Sequence, residues 1–547
     1  MENKSSKLKK TRNKGSLIRF LERAPLYPFL IAIYPVVYLL SENITEIGPE
    51  AGLRSAILFL LIAALFFSFS LLLTRNSSKS GLITLIAMLA YFLVFIFIYA
   101  PAYRLLREVT IFDRILGRHR YMLLFSFLFL LVVILSAFLL SRRISPGSLK
   151  TITLAGNGSS ILLLLIPTLI IASNMVVKNR QFVQSQVNLP EIEQSLTTSI
   201  HTNPDIYYII LDMLTSDNIL ARLLDYDDPS FADSLQQMGF YVPECGQSNY
   251  PLTQLSITSS LNMDYIHSIS DSAQTTSLYP LMMNNRVRRS LEDIGYRTIA
   301  FETGYSFTEI VDADLYLTDI TSIWDLLFYP GITPFESLVL KVSGGQILYE
   351  TRSSLSKQMQ VLIDAPYVQY RERILFAFEE LANLPPEPGP KFVFAHILAP
   401  HNPFVFDEDG SFLFRSTPFS LNADKEYGWE GYKEAYVKEL KYIRKVVLDL
   451  VDRIITESDT PPVIIIQGDH GIPWTAGDGA QFEIFSAYYF AGRQVSELHD
   501  EISPVNNFRV LFNAQFGTNY DLLMDESYIY DKETEITSPF LNPIPCP

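Results

Sequence analysis

Asp205-Ile-Tyr-Tyr-Ile-Ile-Leu-Asp212 is a short, nearly continuous apolar run with a carboxylate at each end. Apolar residues that do not alternate with polar ones are how a strand buried on both faces of a parallel sheet reads. Pro462-Val-Ile-Ile-Ile466 repeats the pattern and runs into Gln467-Gly-Asp469-His470-Gly471. Lys391–Leu398 and Tyr296–Phe301 are further strand-like runs. Helical stretches separate them. Ser230 is read as the cap of a helix through Met238, ended by Gly239, and Asn285–Ile294 reads as another, broken at Gly295. Within Tyr432–Thr456, Val437, Leu440, Ile443, Val447, Leu450, Val451 and Ile454 recur at helical spacing. The alternation predicts an α/β domain over 204–547, with a mostly parallel sheet sandwiched by helices.

Upstream of this domain the composition changes. The chain has 547 residues and 48% hydrophobic content, and the apolar excess sits in the first 180 as long uncharged runs. Charge divides at the same place. Through Arg180 there are 21 basic and 7 acidic residues, a net +14, against −29 for the remainder. An acidic soluble part argues against nucleic acid as a partner, since phosphate backbones need clustered Lys and Arg. The basic part suits anionic lipid headgroups. Two cysteines, Cys245 and Cys546, exclude a cysteine-rich metal site or a dense disulfide framework, and the reading favours two unrelated thiols.

Five apolar stretches lie near 24–41, 56–73, 82–100, 121–140 and 152–177. A spanning helix needs about 20 mostly apolar residues, which the middle three meet well. The first is short and carries Pro28 and Pro35; the fifth opens on Gly156-Asn157-Gly158. Lys4, Lys7, Lys9, Lys10, Arg12 and Lys14 precede the first stretch, and no small-residue cleavage site follows it. The expectation is an uncleaved, multi-pass inner-membrane protein with a cytoplasmic N-terminus. Arg75/Lys79 and Arg142/Arg143/Lys150 then fall inside, as the positive-inside rule asks. Residues 1–180 form the transmembrane domain, 181–203 a linker, and 204–547 an extracytoplasmic domain. Arg104, Arg107, Arg114, Arg118 and Arg120 go against the rule in an outer loop, which a basic segment facing lipid phosphate would explain.

Chemistry-bearing residues gather where strands end. In open α/β sheets the site lies beyond the carboxyl ends of the strands. Asp212, His396 and Asp469/His470 all stand at or just past such ends. Asp212 offers a hard oxygen donor, and Asp469-His470 offers two ligands to one cation. Either carboxylate also suits an ordinary turn. Thr253, just after Pro251, opens a helix. A hydroxyl there is most often a plain cap, but a helix start also stabilises an alkoxide. His396-Ile-Leu-Ala-Pro-His401-Asn-Pro places two imidazoles after a strand. Three of the chain's seven histidines therefore fall in two strand-end motifs.

Leu-Asp212, the Thr253 helix start, His396-x4-His401-x-Pro and Gly-Asp469-His470-Gly resemble, in type and order, the motifs of the alkaline phosphatase/sulfatase superfamily. The five-span anchor with an external domain looks like the lipoteichoic acid synthases and lipid A phosphoethanolamine transferases. Phe-Val-Phe-Ala-His396-Ile-Leu-Ala-Pro-His401 is similar to sulfatase-like bacterial membrane proteins. The resemblance covers about Asp205 to Tyr530 and implies an alkaline-phosphatase-like fold. It implies Thr253 as nucleophile, because Thr253-x-x-Ser256 is similar to the threonine-bearing helix start of the transferases. It implies Asp212, Thr253, Asp469 and His470 as ligands of one divalent ion, and His396 and His401 as contacts to the substrate. Zn²⁺ and Mn²⁺ fit this donor set better than Mg²⁺.

There are departures. Thr253 is followed by Gln254-Leu255 rather than the sulfatases' C/S-x-P-x-R, so a formylglycine sulfatase is not expected. Asp212 stands where both transferase families usually carry Glu, and two cysteines cannot supply the phosphoethanolamine transferases' disulfides. The resulting expectation is metal-dependent transfer of a phospho-headgroup, on a membrane lipid or envelope glycopolymer, through a covalent phospho-threonine. A hydrolase using water as acceptor shares the first half-reaction. A catalytically silent membrane regulator is the reading from another class. No protein partner is predictable, and a transporter has little support because the spans lack internal symmetry.

Overall fold

The computed structural model describes residues 18–540 apart from 45–46, 107–108, 112–113, 116–118, 186–193, 195, 197–202, 271, 319–322, 343–344, 422–426, 473–478, 492 and 532–535. Its packing divides the chain into two units. The first is Met1–Ser173 with Ser322–Ala365 and Arg415–Pro418; the second is Asn174–Thr321, Pro366–Phe414 and Phe419–Pro547. Residues 322–365 lie inside the expected 204–547 domain in sequence but pack with the first unit.

The first unit is helical. Helix α1 (Tyr27–Glu42) precedes α2 (Leu53–Thr74), α3 (Ser77–Phe92), α4 (His119–Ser141) and α5 (Pro146–Ser185). Four stretches, 49–74, 77–95, 121–141 and 146–177, are long and apolar enough to cross a membrane, while α1 is a shorter apolar helix of 16 residues. Among the described residues, four of the five expected stretches are thus of spanning length, and α1 falls below it. Gly156-Asn157-Gly158, the weak opening of the fifth stretch, closes the start of α1. Asn157 Oδ1 accepts from Leu26 N and Tyr27 N at 2.9 Å, and its Nδ2 donates to Leu21 O and Ala24 O at 2.7 and 2.8 Å. A Cβ at Gly156 would sit 3.0 Å from the Tyr27 ring. Backbone groups freed at a helix start must find partners inside a bilayer, and one asparagine amide supplies them. The 181–203 linker falls largely outside the described residues, as do the side chains of Arg104, Arg107, Arg114, Arg118 and Arg120.

The main sheet of the second unit has six strands: β1 (Ile206–Leu211), β2 (Arg297–Phe301), β3 (Leu315–Leu317), β4 (Lys391–Ile397), β5 (Val463–Gly468) and β6 (Ser486–Phe490). Their order is β3-β2-β4-β1-β5-β6, parallel except for β6, which runs antiparallel to β5. Strand β1 is central, and all six of its residues are buried. The expected α/β architecture is therefore observed. The pairing Leu211–Ile397 and Leu211–Gly468 puts the residues that follow β1, β4 and β5 at one sheet edge. The helix at 230–237 starts at Ser230 without a side-chain cap from it; Asp228 Oδ1 accepts from Ser230 N instead. Asn285 does cap its helix, α7 (Arg286–Glu292), accepting from Arg288 N at 2.8 Å. Cys245 is disulfide-bonded, against the reading of two unrelated thiols, and Cys546 lies outside the described residues.

Helix α8 (Trp429–Glu457) carries the predicted apolar face into the core and with it one carboxylate. Buried Glu439 Oε2 accepts from Val405 N and Phe406 N at 2.6 and 3.1 Å. Burial outweighs those bonds and pushes the carboxyl up to about 8. The raised value means its contribution to stability is full below about pH 4.5 and is lost as pH rises through about 8. From pH 6 to pH 9 the loss amounts to up to about 3 kcal/mol, or several degrees of melting midpoint. Glu439→Gln is expected to abolish that part of the fall when midpoints of the purified protein are compared at the two pH values. Parallel declines in variant and parent would show that Glu439 does not titrate there.

Candidate metal centre and active site

Strand β1 delivers Asp212 to the sheet edge, where Asp212 N donates to Ile397 O at 2.9 Å. The chain then turns through Met213, whose φ of 62° is in the left-handed region. That strained turn is tied down twice: Met213 N donates to Asp469 Oδ1 at 3.1 Å, and Tyr436 Oη donates to Met213 O at 2.7 Å. Strand β5 ends at Gly468 because a Cβ there would run into the carbonyl of Leu214. Gly471 is required in the same way by the carbonyls of Ala480 and Glu483. The two glycines of Gly-Asp469-His470-Gly thus let neighbouring backbone close around Asp469 and His470.

Asp212, His396 and Asp469 converge. One donor atom from each lies within 4.8 Å of the others, and all three side chains are buried. Asp212 Oδ1, His396 Nε2 and Asp469 Oδ2 have no hydrogen-bond partner among the described residues. His396 Nε2 lies 3.3 Å from Asp212 Oδ2. His470 Nε2 is 3.8 Å from Asp212 Oδ1 and 3.6 Å from Asp469 Oδ2. Unpaired buried carboxylates are costly, and a cation among them removes that cost. The residues present therefore fit a divalent ion held by two carboxylates and imidazole. Burial raises the Asp212 carboxyl, but the charge of His401, the close approach and charge of His396 and the charge of His470 outweigh it. Asp212 is accordingly held well below the usual carboxylate range, in the ionised form a metal requires.

Thr253 is the first residue of helix α6 (Thr253–Asn262), as its sequence position suggested. Its Oγ1 lies 3.3 Å from His470 Nε2. Unlike the two aspartates it is partly exposed, so an incoming group can reach it. The preceding loop is anchored by Ser248, whose Oγ donates to Asp469 O at 2.6 Å and lies 3.2 Å from Ser256 Oγ. The loop before Thr253 and the loop of Asp469 are thereby braced on each other.

His396 is grouped differently from its expectation. Read as a substrate contact, it instead stands with the carboxylates, because β4 is the immediate neighbour of β1 and register brings His396 opposite Ile210. Its other nitrogen, Nδ1, is 3.0 Å from Thr308 Oγ1. Such a bond on the far side of an imidazole fixes ring orientation and tautomer in metal sites. Thr308 was missed: nothing in its local sequence marks it, and only the loop after β2 brings it there. Tyr370 was missed for the same reason. Its Oη donates to Leu398 O and lies 3.1 Å from His401 O, holding the turn between the two histidines. His401 is half-buried, and its charge acts on Asp212.

No family model matches the chain, and none of the curated proteins matches it. Solved structures do match, at low similarity. The integral membrane lipooligosaccharide phosphoethanolamine transferase A (EptA) from Neisseria meningitidis has 13% identity and a TM-score of 0.38, covering 90% of this chain and 95% of that one. The C-terminal periplasmic domain of EptC from Escherichia coli has 14% identity and a TM-score of 0.37, covering 61% and 93%. BT1596, a 2-O GAG sulfatase, has 12% identity and a TM-score of 0.34, covering 58% and 72%. Phosphoethanolamine transferases and a sulfatase are thus among the matched structures.

Proposed function

We propose that this chain is a membrane-anchored, divalent-metal-dependent enzyme that transfers a phospho-headgroup between alcohols through Thr253. The observation that supports it is the meeting of Asp212, His396, Asp469 and His470 beside a partly exposed threonine hydroxyl at a helix start. Such a hydroxyl is a weak nucleophile at neutral pH. A bound Zn²⁺ or Mn²⁺ would lower its pKa and neutralise charge on the phosphoryl oxygens.

Asp212, Asp469 and His396 would hold that ion, with His470 completing the set next to Thr253. The first backbone N–H groups of α6 favour negative charge on Thr253 Oγ1. As the bond from Oγ1 to phosphorus forms, the bond from phosphorus to the first alcohol breaks, and the threonine proton passes to solvent. His401 protonates the departing alkoxide. The acceptor hydroxyl then attacks the phosphothreonine and gives its proton to His401, while the bond from phosphorus to Oγ1 breaks and Thr253 takes a proton back from solvent. A membrane lipid or envelope glycopolymer suits as substrate, with the domain on the outer face of the inner membrane and the N-terminus in the cytoplasm.

Headgroup-labelled phospholipids, offered to the purified full-length chain with and without an added alcohol, test the proposal. The expected result is label on the acceptor, lost with chelator and restored by Zn²⁺ or Mn²⁺. Label released only to water would replace the transferase by a hydrolase at the same site. A chain that retains no metal and turns nothing over would be the silent regulator.

A further inference from the structure

Residues 322–365 fall between β3 and β4 in chain order, yet they are built onto the ends of the apolar helices. Arg54, in the first turn of α2, donates through Nε to Glu336 Oε1 at 2.7 Å and through Nη1 to Tyr329 O at 2.8 Å. Its Nη2 reaches Gly331 O and Glu336 Oε2. Phe335 and Val339 are buried with Val36, Leu40 and Ile44 of the α1 end. His119, the first residue of α4, meets Glu350 Oε2 at 2.7 Å through Nε2. The C-terminal end of α1 and the N-terminal ends of α2 and α4 lie on one side of a membrane when consecutive helices alternate in direction. All three anchors are therefore at one membrane face.

The rest of this segment presents apolar groups where water would disfavour them. Trp324 is 63% exposed and Phe328 77%, with their rings stacked at 6.0 Å. Val342, Val361 and Leu362 are exposed as well. The short helix Ile323–Leu327 packs on α2, whose own Leu53, Ile57, Leu58 and Leu61 are exposed as lipid-facing residues are. Trp324 lies within that short helix and Phe328 directly follows it, so both join the exposed apolar residues of α2. Three of the segment's carboxylates are already paired: Glu336 with Arg54, Glu350 with His119 and Asp364 with Arg352. Charge within the segment therefore does little to hold it off a lipid surface.

We propose that residues 322–365 are a membrane-interface element, with Trp324 and Phe328 inserted at the boundary between headgroups and acyl chains. An indole with an apolar body and one N–H suits that depth. The bilayer, rather than another protein, covers this patch because the patch is continuous with the lipid-facing side of a spanning helix. The inference does not depend on the catalytic role of Thr253.

The chain has three tryptophans, so Trp429→Phe with Trp474→Phe leaves Trp324 as sole reporter. The full-length variant is reconstituted in phosphatidylcholine vesicles, plain or brominated at the 6,7 or 11,12 acyl positions. A roughly twofold or greater loss of emission with the shallow bromines, less with the deep ones and little with aqueous iodide, is expected for an interfacial depth. Strong iodide quenching without bromine quenching would overturn the proposal, as would no quenching by either, the mark of a protein partner. Should the double variant misfold, the difference in bromine quenching between the parent chain and Trp324→Phe reports the same quantity.

Discussion

Thr253→Ala is expected to lower turnover of a soluble phosphodiester by at least about a thousandfold. The fold and the bound metal should persist, because Asp212, His396 and Asp469 form their group without Thr253. The side chain is only partly buried at a helix start, so its loss costs the fold little. Thr253→Ser keeps the hydroxyl and should retain a measurable fraction of the rate. Metal content by elemental analysis, circular dichroism and turnover on the same preparation separate these effects. Undiminished turnover in a folded Thr253→Ala would remove the covalent route and leave direct attack by the acceptor.

The two histidines of one motif should separate cleanly. His396→Ala removes an imidazole whose Nε2 faces the carboxylates, and metal affinity should fall by at least about a hundredfold. His401→Ala leaves the buried group whole. It should keep the metal and lose about a hundredfold to ten-thousandfold in kcat through the missing proton donor. Titration of the metal-free chain with Zn²⁺, beside rates at saturating metal, distinguishes them. If His396→Ala kept full metal affinity, His396 would return to the substrate side, where its motif alone had suggested it.

Local signals carried much of the architecture. Unbroken apolar runs marked β1, β4 and β5, because a strand covered on both faces has no polar side. The period of α8 was legible for the converse reason: one face meets the core and the other meets water. Strand β6 left little trace. It pairs antiparallel with β5 through Ser486–Phe490, and its five residues followed no helix–strand alternation that would have announced it. Glu439 sits on the buried face of α8, where the helical period predicts an apolar residue, since two backbone N–H groups of the 405–406 turn needed an acceptor.

Sequence alone determined that β1, β2, β4 and β5 are strands, where the long apolar helices lie, and that reactive side chains stand just past strand ends. Each of those facts is written in periodicity and composition within a few neighbouring residues. The tertiary structure decided what those segments do together. It placed β4 directly beside β1, so that His396 faces Asp212. It turned Gly156-Asn157-Gly158 into the closure of α1 and built residues 322–365 onto the helix ends. These outcomes rest on contacts between residues tens to hundreds of positions apart, and no short-range pattern encodes which distant partner a side chain will meet.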